Sequence, residues 1–208
     1  MTATEQMVRH ALALGRLARG FKYPDKAFRD ALAQGAYQAE LLDVLGAVKG
    51  DGDWAEALSQ LRQALQQATS DPAALEGEHT YLFARNVVSS PYGASYGGDR
   101  IQGILELASF YAAFGFKVAP GGEPPDHVGA ELEFLAVLYA KEAYAREQGW
   151  TEQAEICLSA RKKFVTEQLG QWLAAFAQRV QEQARHPFYP ALAIVARRMV
   201  ETELEGEE

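Results

Sequence analysis

Glu123, Asp126, His127, Glu131 and Glu133 crowd into one short tract, with Pro124 and Pro125 inside it. Carboxylates beside an imidazole can do three kinds of work. They can move protons as general acid and base, hold a metal ion, or receive a cationic partner. The prolines stop any preceding helix. Asp126 is then placed to cap a new helix by accepting main-chain N–H groups, a contribution of about 1 kcal/mol. His127 follows the cap directly, so its ring is expected on the surface beside an exposed Asp126. Glu131 and Glu133 come within the next turns.

A catalytic role needs further partners. His10, His79 and His186 are each isolated, and no His-x-x-x-His or His-Glu-x-x-His pair occurs. The run Gly93-Ala-Ser-Tyr-Gly-Gly has no Lys-Ser/Thr after it, so it is not a phosphate-cradling loop. Ser89, Ser90 and Ser95 lack the setting of a nucleophile elbow. The expectation is therefore no catalytic residue, no metal and no cofactor. A small metal-dependent hydrolase using His127 stays as the weakest alternative.

Recognition of a peptide fits better. Residues 84–100 form a loop rich in Gly, Ser and Pro that carries Tyr92 and Tyr96 and ends at Arg100. A second Gly/Pro loop, 119–125, leads to Glu123 and Asp126. Two such loops can flank a groove. Tyrosines supply an apolar floor at small entropy cost, and carboxylates attract basic side chains.

The elements that must position these groups read as helices nearly throughout. Val8, Leu12 and Leu17 suggest an apolar stripe over about 4–20. Tyr23-Pro-Asp ends that helix. Trp54, Leu58, Leu61 and Leu65 step by four, three and four along another. Asp71-Pro72 starts a further one, with Asp71 as its cap. Ile104, Leu107, Ala108 and Tyr111 mark a helix over about 101–115, and Val128, Leu132, Leu135 and Tyr139 one running to about 148. Residues 151–184 give one long helix or two short ones, and His186-Pro-Phe-Tyr precedes the last. Strands do not alternate with helices, so the expected fold is all-α: a single globular bundle of about ten helices over 1–200, followed by a disordered acidic tail, 201–208.

Composition narrows the partners. The 208 residues carry a net charge of −8, which argues against nucleic acid and favours basic peptides or basic protein patches. The single cysteine, Cys157, rules out an internal disulfide and a multi-cysteine zinc site, and its helical setting suggests a buried thiol. No export signal is visible, and no run approaches the ~18 apolar residues of a membrane span. Arg197 and Arg198 have no apolar run after them and are not an export signal. The expectation is a cytoplasmic protein, monomer or homodimer, with no stable membrane insertion.

Several tracts together resemble the TorD/DmsD/NarJ-type chaperones, the redox-enzyme maturation proteins dedicated to molybdoenzymes. They are His79-Thr-Tyr-Leu82-Phe83 for an aromatic-x-x-Leu-Phe motif, and Glu123-Pro-Pro-Asp126-His127 for Glu-Pro-x-Asp-His, followed by Glu131-Leu132-x-Phe134. Between them, Ser90-Pro91-Tyr92-Gly-Ala-Ser95-Tyr96 is similar to the family's Pro-aromatic-x-Ser-x-aromatic loop. His79 departs from the motif's first aromatic, although a histidine also packs as a flat ring; Leu82 and Phe83 are expected in the core. The resemblance implies a non-enzymatic, TorD-like chaperone. Its partner would be the catalytic subunit of a molybdopterin-containing oxidoreductase of the DMSO-reductase superfamily. It would bind that subunit's N-terminal or twin-arginine signal peptide and support molybdenum-cofactor insertion before export or assembly. Tyr92, Tyr96, Arg100, Glu123, Asp126, His127 and Glu131 are the residues expected to contact it. A stable accessory subunit of a molybdoenzyme complex is the second reading.

Overall fold

The computed structural model describes residues 1–48, 52–85, 87–97, 100–119 and 122–205, without the side chains of Arg100, Leu204 and Glu205. Ten α-helical segments follow one another: α1 Ala3–Phe21, α2 Lys26–Ala33, α3 Ala36–Leu45, α4 Gly52–Ser70, α5 Ala74–His79, α6 Arg100–Ala113, α7 Val128–Glu147, α8 Thr151–Phe164, α9 Gly170–Gln183 and α10 Phe188–Glu205. The fold is all-α, as expected. A π-turn, Val165–Leu169, joins α8 and α9 into one continuous helix, and a second, Thr80–Arg85, extends α5. No strand occurs among the described residues, only a single antiparallel bridge between Tyr92 and His127. Among the described residues no helix is long and apolar enough to cross a membrane.

Local chemistry sets the helix starts. Thr2 and Glu5 form a capping box at α1: Glu5 N–H donates to Thr2 Oγ1 at 3.1 Å, and Thr2 N–H to Glu5 Oε2 at 2.7 Å. Asp25 caps α2 by accepting from Phe28 N–H at 2.8 Å. Asp71 reaches Ala74 N–H at 3.3 Å, but α5 starts only at Ala74, so Asp71 and Pro72 lie in the turn before it.

α7 is the centre of the molecule. It packs most extensively on α1, then on α8, while α10 lies against α4 and α9. Val128, Leu132, Leu135, Leu138 and Tyr139 are buried along α7, and Phe134 lies among Phe110, Tyr111, Phe114, Phe116 and Phe164. The stripe of α1 differs from the sequence expectation. Val8 and Leu12 are 43% and 49% exposed, and the buried set is Ala13, Leu14, Leu17, Ala18 and Phe21. Close approach of two helices favours small side chains at the contact, and a count of large apolar residues misses this. Gly20 is the extreme case, because a Cβ there would lie 2.6 Å from Leu192 Cδ2 and from the Tyr37 hydroxyl.

α10 runs to Glu205, past the boundary expected at 200. Glu203 on its last turns pairs with buried Arg161 of α8, and Thr202 Oγ1 donates to Met199 O at 2.8 Å. These contacts hold 201–203 in the helix, while 206–208 lie outside the described residues. Cys157 is buried, as its setting suggested.

Gly20→Ala should cost about 1–3 kcal/mol in urea unfolding through overpacking between α1, α3 and α10. Gly15→Ala on the same helix meets nothing within 4 Å. It should be neutral or stabilise by about 0.5–1 kcal/mol. Equal effects of the two changes would refute the close-packing account of α1.

Candidate functional site

Two main-chain hydrogen bonds join the Ser-Pro-Tyr loop to the Glu-Pro-Pro-Asp-His turn. Gly93 N–H donates to Asp126 O, and Val128 N–H to Pro91 O, each at 2.8 Å. These are the bonds of the bridge between Tyr92 and His127. Tyr111 of α6 steadies the turn from the other side, its hydroxyl donating to Pro125 O at 2.7 Å. Burial pushes that hydroxyl's pKa far above the usual tyrosine range.

The clip changes the roles expected of Asp126 and His127. His127, not Asp126, caps α7: its Nδ1 accepts from Gly129 N–H at 3.0 Å. The ring is 2% exposed rather than on the surface, and Asp126 is 5% exposed rather than open to solvent. Both corrections share one cause. The loop 91–97 folds over the start of α7, and the Asp126 carboxylate turns to meet Ala94 N–H at 3.3 Å. Burial drives the His127 pKa down to about 3, helped by the positive influence of His79 and Lys22. A neutral ring with a bare Nδ1 is the form that can accept from Gly129.

Beside the clip lies a cleft of about 370 Å³ between loop 93–97, α6, the π-turn 165–169 and α9. Tyr96, Asp126 and Glu131 are brought together on it. Tyr92, Glu123 and His127 are outside its lining. The Tyr92 hydroxyl donates to Glu123 Oε2 at 3.2 Å, and its ring lies 5.5 Å from that of His127. Burial and the Glu123 carboxylate raise the Tyr92 pKa. Arg100 opens α6, but its side chain is outside the described residues.

Trp172 completes the cleft and was not among the expected site residues. Tyr96 stacks on it with centroids 5.4 Å apart, and its indole N–H reaches Glu131 Oε2 at 3.4 Å. The Tyr96 hydroxyl donates to Ser90 O at 2.8 Å, and burial pushes its pKa up to about 12. Gly93 is required at this point, because a Cβ there would lie 2.9 Å from Trp172 Nε1 and 3.3 Å from Glu131 Oε1. Glu131 itself is 1% exposed. Burial, with Asp126 nearby, raises its pKa well above the usual carboxylate range. Glu106 and Glu167 stand exposed at the rim, with the amides of Gln168 and Gln171 beside them. In sequence Trp172 is one of several inward aromatics of a long helix, and nothing local marks it.

Upstream, His79 packs as the flat ring its motif position suggested. It is 6% exposed among Tyr23, Phe83 and Tyr189, and burial lowers its pKa. Leu82 and Phe83 are core residues. Among the described residues no group of three or more His, Cys, Asp or Glu could hold a metal ion.

A sequence model of the nitrate reductase delta subunit family matches residues 49–178, more than half of the chain and both motif tracts. The chain belongs to this family. Curated relatives carry chaperone names. The perchlorate reductase assembly chaperone protein of Dechloromonas aromatica (strain RCB) is 34% identical over 55% of this chain and 54% of its own length. The chlorate reductase assembly chaperone protein of Ideonella dechloratans is 34% identical over 58% and 66%. The chaperone protein TorD of Vibrio cholerae serotype O1 (strain M66-2) is 31% identical over 68% and 64%. The chain thus spans between about half and two thirds of these relatives' lengths. A solved structure of a proposed redox enzyme maturation protein from Archaeoglobus fulgidus shares the fold, with a TM-score of 0.52 at 24% identity over 93% of both chains. The delta-subunit family is thus the setting in which the clip and cleft are found, and it matches the resemblance drawn from the motifs.

The His127 pKa has a stability consequence with a definite sign. A folded-state pKa below the unfolded value near 6.5 means stability is complete above that value and is lost as pH falls toward about 3. His127→Asn keeps a capping side chain without a titrating ring. Thermal melts should show the wild type losing more stability than this variant as pH falls. A parallel fall in both would remove His127 as the cause.

Proposed function

We propose that this chain is a non-enzymatic assembly chaperone for the catalytic subunit of a molybdopterin-containing oxidoreductase of the DMSO-reductase superfamily. It acts in the cytoplasm and binds that subunit's N-terminal segment, in the form of a twin-arginine signal peptide where the subunit carries one. Holding this segment delays export or assembly until the molybdenum cofactor has been inserted.

The observation that carries the reading is the make-up of the cleft. Tyr96, Leu107 and Trp172 give it apolar walls, and Glu106, Asp126, Glu131 and Glu167 give it acid groups. No Lys, Arg or His is among the described residues lining it. A basic segment followed by an apolar one complements both features. A net charge of −8 acts in the same direction at longer range. Family membership and the chaperone roles named for the relatives lend support.

The test is calorimetry with a synthetic peptide carrying an Arg-Arg pair before an apolar stretch. Reversing the two exposed rim acids (Glu106→Lys with Glu167→Lys) should weaken binding about tenfold, equivalent to about 1.4 kcal/mol. Wild-type binding should also weaken at higher salt, since exposed charges are screened over about 8–10 Å. Unchanged affinity in both experiments would place the peptide elsewhere or remove it as a ligand.

A further inference from the structure

Glu131 is buried without the partners that a buried carboxyl needs. It is 1% exposed on α7, yet its atoms line the cleft. Trp172 Nε1 meets Oε2 at a long 3.4 Å. Oε1 accepts no hydrogen bond among the described residues, and the absence of a Cβ on Gly93 spares it a contact at 3.3 Å. α7 fills neighbouring buried positions with Leu132 and Leu135, so an acid here serves no packing need.

The surroundings define what would satisfy it. Asp126 from the preceding turn adds its negative field. α6 contributes Glu106 and the Tyr111 hydroxyl, which is engaged with Pro125 O. The π-turn contributes Glu167, and the loop contributes Tyr96, whose hydroxyl is held by Ser90 O. On α9, Trp172 faces the acid and Arg179 is turned over the Tyr96 ring at 5.5 Å. Every ionic group among the described lining residues is therefore acidic, and the Trp172–Tyr96 stack offers a flat apolar face.

We propose that Glu131 is the receptor for one arginine guanidinium of the bound segment, with Asp126 as the second acid and the Trp172–Tyr96 stack as the flat surface beside it. This deepens the peptide reading and rests on it. A guanidinium suits the place because it is planar, packs on aromatic faces and donates to a carboxylate through a fork of N–H groups. In the empty cleft burial raises the Glu131 pKa well above the usual carboxylate range, which favours the protonated carboxyl. When the cation enters, the carboxyl releases that proton to solvent and keeps the negative charge that pairs with the guanidinium. One positive charge replaces another, so the buried site gains no net charge. Cation and proton compete, and the affinity must rise with pH until the empty site is already ionised.

The test uses the full chain and two probes, N-acetyl-Arg-Arg-amide and a longer peptide in which the same pair precedes an apolar stretch. Calorimetry in two buffers of different ionisation heat counts the protons released. The expected result is proton release with both probes and an affinity that rises with pH above the usual carboxylate range, by at most about tenfold per unit for one proton. Glu131→Gln should keep its melting temperature, lose the proton release and bind at least about tenfold more weakly. The citrulline versions of both probes should not bind measurably. Arginine binding without proton release, or with release and affinity unchanged in Glu131→Gln, overturns the Glu131 role while leaving the peptide reading intact. Equal binding of Lys-Lys probes overturns the preference for a guanidinium. Binding of the short probe with proton release, but with no gain from the apolar stretch, supports the receptor and sinks the longer peptide groove. Failure of both probes to bind overturns both.

Discussion

The site depends on one main-chain clip, the pair of hydrogen bonds from Gly93 N–H to Asp126 O and from Val128 N–H to Pro91 O. Each bond is worth only about 1 kcal/mol in net stability. Their importance is positional. They hold the loop 91–97 over the start of α7, which buries His127, sends Asp126 to Ala94 N–H and sets Gly93 against Trp172. One wall of the cleft exists only because of this contact. Two prolines make the clip economical in entropy, since the turn that offers Asp126 O is already restricted before folding.

The central helix carries two buried acids that are treated in opposite ways. Glu142 is fully buried and is met by Arg146 at 2.7 Å and Arg161 at 3.2 Å. Arg161 also lies 4.0 Å over the Tyr139 ring and pairs with Glu203 of α10. That acid is a structural joint between α7, α8 and α10. Glu131, also on α7, has one long hydrogen bond, from Trp172, and lines the cleft. The same residue type is thus spent on cohesion at one level and left available at another. The difference lies in whether a neighbouring helix brings an arginine.

Much of the architecture was legible from periodicity. The helical bundle, the break at Tyr23-Pro-Asp, the core positions of Leu82 and Phe83 and the buried Cys157 all follow from apolar spacing and turn residues. The stripe of α1 was misread because Val8 and Leu12 are larger than Ala13 and Ala18, while helix contact selects for closeness as well as apolarity. The end of the last helix was misread because acidity alone suggested a tail, and the ion pair between Glu203 and Arg161 spans elements far apart in the chain. His127 as the cap of α7 was equally hidden. Aspartate is the better capping residue by local preference, and only the loop lying over the turn gives its carboxylate another donor.

The amino-acid sequence by itself determined the fold class, the place of the chemically able tract and the net acidic charge. Those properties come from local spacing and total charge, which need no knowledge of distant contacts. The tertiary structure alone decided which acids face the cleft, that Trp172 is its aromatic wall, and that Glu131 is buried with only the Trp172 indole as a side-chain partner. Each of these depends on what a remote helix brings within a few ångströms, and burial shifts the charge state of a carboxyl only after that packing is complete.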